Sequence, residues 1–109
     1  MKLIVRRNQL AENPEMWLRS AGYVMINDRL SGQLSYARRF SRDFYPRFHL
    51  YFTVEKDSKG QEFIIFNLHL DQKQPGYEGQ NRHNAEYDGE LVEAELKRLK
   101  TLVLPDFFN

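Results

Sequence analysis

Two runs of alternating residues around one turn constrain this chain more than any other feature. In "RFHLYFTVEKDSKGQEFIIFNLHLD", which spans Arg47 to Asp71, the apolar residues Phe48, Leu50, Phe52 and Val54 fall on every second position, and so do Ile64, Phe66, Leu68 and Leu70. A period of two is the signature of a strand, because successive side chains leave it on opposite faces. The intervening "DSKGQ" has turn chemistry, with Gly60 suited to a positive φ. The two apolar sets must share one face of the hairpin, which fixes the parity of its pairing. Centring the pairing on Lys59 sets Phe48 opposite Leu70, Leu50 opposite Leu68 and Phe52 opposite Phe66.

The same register orders the other face. His49 falls opposite His69, Arg47 opposite Asp71, Tyr51 opposite Asn67 and Thr53 opposite Ile65. Directly opposed side chains have Cβ atoms ~5 Å apart. Two imidazoles are therefore expected in contact beside an arginine–carboxylate pair.

Around this hairpin the remaining elements follow from local signals. "MKLIVRR" reads as a short strand and "ENPEMWLRSAGY" as a short helix. Asn13 is the expected N-cap, Pro14 suits the first helical position, Glu15 complements the helix dipole and Gly22 ends the helix. Trp17, Leu18 and Ala21 form its expected buried side. "YVMINDRLSGQLSYARRF" reads as a second hairpin turning at "NDRLSGQ"; neither of its faces is cleanly apolar, so its register is left open. "DGELVEAELKRLKTLVLP" predicts a helix capped by Asp88 and stopped by Pro105, with Val92, Leu96, Leu99 and Val103 on one face and a Glu93–Lys97 pair. The expected fold is a single α+β domain over residues 1–109. It has a curved antiparallel meander of four strands, or five if the N-terminal segment joins. A short N-terminal helix precedes it, and a C-terminal helix packs on one face.

Residues 72–88 fit neither period. Irregular stretches longer than ~12–15 residues are uncommon inside compact domains and usually serve function or cover an edge. This one leaves the sheet beside Asp71 and carries Lys73, His83, Glu86 and Asp88.

Composition narrows the chemistry. With no cysteine, there are no disulfides, thiol nucleophiles or thiolate metal sites. A formal charge of +1 is too small to argue by itself for nucleic acid. No apolar run reaches the ~18 residues of a membrane span, and the N-terminus lacks a signal-peptide pattern, so a soluble cytoplasmic protein without a membrane partner is expected.

Two functional readings come from the histidine-bearing face. In the first, the protein is a binding or accessory domain for a protein or nucleic-acid partner. It acts through Arg38, Arg39, Arg47, Tyr51 and Lys73 together with the 72–88 segment; arginines hold phosphates and aromatics stack bases or fill interfaces. In the second, it is a metal-supported or histidine-based hydrolase or nuclease with a site at His49, His69, Asp71 and His83. His49, His69 and Asp71 are then the catalytic candidates, and His49, His69 and His83 the metal ligands. Zinc is the ion such nitrogen and oxygen donors suit. No H-E-x-x-H or related spacing is present, so this second reading rests on the pairing of strands and not on a motif.

Overall fold

The computed structural model describes residues 1–27, 32–72 and 89–106, together with the backbone of 85–86. Its centre is the hairpin of β4 (Arg47–Lys56) and β5 (Glu62–Asp71). All ten pairs follow the register read from the sequence, from Arg47 opposite Asp71 to Lys56 opposite Glu62. The turn is held by the Asp57 carboxylate, which accepts from the backbone N–H of Lys59 and Gln61 at 2.9 and 3.0 Å. These two bonds and Arg6 hold Asp57 below the usual carboxylate range against the opposing effect of burial, with the Gln61 bond the largest cause. Gly60 takes φ +79°, as a tight turn requires there.

The N-terminal segment does join the sheet. Strand β1 (Lys2–Arg6) pairs antiparallel with β5, the strand opposite to the meander. On the other side β3 (Leu34–Arg39) pairs with β4, and β2 (Val24–Asn27) pairs with β3, giving a five-stranded antiparallel order β1-β5-β4-β3-β2. The 72–88 segment is not wholly irregular. A two-residue strand β6 (Ala85–Glu86) returns to β5 and sets Ala85 opposite Asp71.

Both helices cover one face. Helix α1 (Pro14–Ser20) starts as expected, with the Asn13 side chain accepting from the Met16 N–H. It ends in a Schellman pattern: Tyr23 N–H reaches Leu18 O, Gly22 N–H reaches Arg19 O, and Gly22 sits at φ +100°. Its Trp17 packs on Phe66, with ring centroids 5.1 Å apart. Helix α2 (Glu90–Thr101) is capped by the backbone of Gly89 with no side-chain cap; Asp88, the expected cap, lies outside the described residues. Val92, Leu96 and Leu99 are buried against Leu50, Phe66, Leu68 and Leu70, and Val103 packs at the margin of the same core. Val54 departs from its expected burial and is 47% exposed. Pairing of β3 with β4 stops at Leu50, so among the described residues no strand pairs with β4 on that side at Val54. Among the described residues no helix is long and apolar enough to cross a membrane.

One charged residue lies inside this core. Glu95 is 3% exposed and accepts from Tyr23 Oη at 2.6 Å, from Arg98 at 2.7 and 2.9 Å, and from Arg38 at 3.3 Å. Arg98 also donates to Ala21 O at 2.7 Å, tying α2 to the end of α1. Burial, reinforced by the Glu95 hydrogen bond, raises the Tyr23 phenol far above its ordinary range. The described ion pair on α2 is thus Glu95–Arg98, not Glu93–Lys97.

Candidate metal centre

The site stands on the sheet face turned away from the helices, at the end where β4 begins and β5 finishes. Alternation places Arg47, His49 and Tyr51 there from β4, and Asn67, His69 and Asp71 from β5. Because the partners of these strands' apolar residues are locked into the core, the polar residues between them are locked outward.

Three groups converge. His49 Nδ1 lies 3.1 Å from His69 Nε2, and the ring centroids are 4.7 Å apart. The Asp71 carboxylate spans the pair, with Oδ2 3.2 Å from His49 Nδ1 and Oδ1 3.0 Å from His69 Nε2. Arg47 Nε donates to Asp71 Oδ2 at 3.0 Å, and the Arg47 guanidinium lies 4.6 Å above the Tyr45 ring. Burial pushes the Asp71 carboxyl upward. Hydrogen bonds from His49, His69 and Arg47, with the His49 charge, outweigh that and hold it far below the ordinary carboxylate range. Asp71 is therefore a carboxylate at any physiological pH. His49 Nε2 is buried and meets no hydrogen-bond partner among the described residues.

These separations are hydrogen-bond distances, and they also overlap the spacing of ligands around one ion. Bonds of ~2.0–2.2 Å at tetrahedral to octahedral angles put neighbouring donor atoms about 2.8–3.6 Å apart. One donor atom from each of His49, His69 and Asp71 lies within 4.8 Å of the other two; the three closest contacts are shorter, and those to Asp71 use its two different oxygens. Two histidines and one carboxylate is a donor set that zinc and ferrous iron both accept with positions left open.

A pocket of about 470 Å³ adjoins the cluster, lined by Arg47, His49, His69 and Tyr51 and, from the first hairpin, by Ile26, Gln33 and Ser35. Sequence reasoning missed the last three because the register that aims them, Ile26 opposite Ser35, had no clean apolar face to announce it.

The chain matches no family model, no curated protein and no solved structure.

The other expected site residues are dispersed. Arg38 and Arg39 point to opposite faces, since they pair with Phe48 and Arg47 respectively. Arg38 reaches the buried Glu95 on the helix side. Arg39 stays on the histidine side, where its guanidinium stacks 4.9 Å from the Phe44 ring. Lys73 and His83 lie outside the described residues.

Proposed function

We propose that the protein is a metal-dependent hydrolytic domain whose ion is held by His49, His69 and Asp71. The observation that supports it is the convergence of two imidazole nitrogens and a carboxylate at 3.0–3.2 Å. With both imidazoles deprotonated at these nitrogens, a shared cation would take the place of the protons that now link them to Asp71. When bound, such an ion lowers the pKa of a coordinated water to near neutrality and polarises a substrate oxygen. The chain's own residues supply the frame. All three ligands sit on paired strands of one hairpin, so little reorganisation accompanies binding. Arg47 donates to Asp71 and helps orient it, the part a metal site's outer shell ordinarily plays. A cytoplasmic setting belongs to this reading, since a chain without cysteine draws nothing from an oxidising compartment.

The test is the elemental content of purified, tag-free protein. Near-stoichiometric zinc or iron, lost in His69→Ala while circular dichroism is unchanged, is the expected result. Metal-free protein that gains no thermal stability from added zinc would sink the reading.

A second reading keeps the expected binding role. Phe44 is 68% exposed beneath Arg39. Arginine stacked on an uncovered aromatic suits a single-stranded nucleic acid, in which phosphates and bases alternate. Binding of a labelled oligonucleotide that weakens steeply with salt and fails in Arg39→Ala with Phe44→Ala would support it. No salt-dependent binding at low ionic strength would remove it.

A further inference from the structure

The metal reading leaves open what the ion meets, and the pocket beside it carries an answer that rests on that reading. Arg47 is fixed at two points, through Nε on Asp71 and through its stacking on Tyr45. Neither contact uses its two terminal nitrogens, no described residue accepts from them, and Arg47 lines the pocket. A guanidinium so anchored offers a planar two-pronged donor a few ångströms from the ligand cluster.

Size and charge narrow the ligand. A pocket of about 470 Å³ lies in the ~300–1,000 Å³ range of small-molecule sites. A macromolecular partner would instead need a face of about 800 Å². A divalent ion and Arg47 against the single charge of Asp71 leave a positive surplus that a dianion neutralises. Phosphate has three terminal oxygens, one for the ion and two for the arginine fork; a carboxylate has too few oxygens and too little charge for both. Beyond these groups the wall is Ile26 and the Tyr51 ring, with the neutral polar Gln33 and Ser35. That wall suits an organic portion of modest polarity.

We propose that this pocket takes a phosphomonoester, its phosphate bridging the ion held by His49, His69 and Asp71 and the terminal nitrogens of Arg47, with its organic group against Ile26 and Tyr51. Hydrolysis there forms one P–O bond from water and breaks the ester P–O bond. Inorganic phosphate remains, and the alcohol leaves with a proton that came from the water.

The experiment is calorimetric titration of the zinc-loaded protein with phenyl phosphate, inorganic phosphate and benzoate, with zinc content measured on every sample. Phenyl phosphate is expected to bind at least about tenfold tighter than benzoate, and tighter than inorganic phosphate. Arg47→Lys at unchanged zinc content is expected to lose about tenfold for both phosphates. Ile26→Ala is expected to weaken phenyl phosphate and spare inorganic phosphate. Should Arg47→Lys lose zinc, the wild-type preference and the Ile26→Ala pattern decide. Benzoate binding as well as phenyl phosphate, or inorganic phosphate binding as tightly as its ester, overturns the inference while leaving the metal site intact. Protein that takes up no zinc overturns both.

Discussion

Glu95 and Asp71 invite direct comparison, because each is an acid drawn out of water beside arginine, on opposite faces of one sheet. Glu95 meets Tyr23, Arg38 and Arg98, whose polar hydrogens have no other use than to be donated. Both its oxygens are engaged by these donors, and the side chain is 2% exposed. Asp71 meets Arg47 in the same manner, but its other neighbours are imidazoles, which offer either a proton or a lone pair. A pocket adjoins each cluster, so it is the neighbours and not a cavity that separate the two acids. The first carboxylate is finished by the fold. The second keeps neighbours that could also bind a cation, as the proposed reading requires, and the distinction lies in the partners and not in the acid.

The contrast is measurable. Removing the buried acid is expected to have the largest effect: Glu95→Ala should lose about 3–5 kcal/mol in urea unfolding, because it strands Arg98 and Tyr23 around a hole, while the folded fraction still takes up zinc. A loss under about 1 kcal/mol would mean Glu95 is no more structural than an ordinary surface group. Tyr23→Phe, which deletes one donor to that carboxylate, should cost about 2 kcal/mol by the same measurement. On the other face His69→Ala should cost only about 1 kcal/mol in metal-free protein yet abolish zinc uptake by calorimetry. If it unfolded the protein as Glu95→Ala does, both clusters would be structural. The smallest effect is on pH. Tyr23 is held protonated by burial and then by Glu95, so its contribution is complete below the ~10 of an unfolded tyrosine and is lost as pH rises beyond it. Burial gives Tyr36 the same direction, so Tyr23→Phe should flatten part of the alkaline fall in unfolding midpoint.

Much of the histidine-bearing face was legible because β4 and β5 alternate without a break around a tight turn. Parity alone then put His49 against His69 and Arg47 against Asp71. The first hairpin resisted because Val24 and Met25, adjacent in sequence and opposite in facing, are both exposed, so no buried side marks its register. Three pocket residues were hidden with it. Glu95 had a readable sign that helix patterning by apolar residues alone passes over. It lies three after Val92 and four before Leu99, on the buried stripe itself, where a carboxylate needs partners. That Arg38 is one of those partners, and so faces away from Arg39, depends on the tertiary placement of α2 over β3, which no local signal carries.

The alternation in β5 has a last consequence, for how such a chain tolerates insertion and deletion. His69 stands between Leu68 and Leu70, which are both buried. Losing one residue between Glu62 and Leu68 would turn His69 into the core and the leucines out of it. Loss of the histidine pair and misfolding would then arrive as a single event. The turn at 57–61 is free of that coupling, because length changes there leave the strands' pairing to the core. A lineage carrying this hairpin can thus vary its tip while the histidine pair is inherited with the hydrophobic interior, guarded by residues that never touch a substrate.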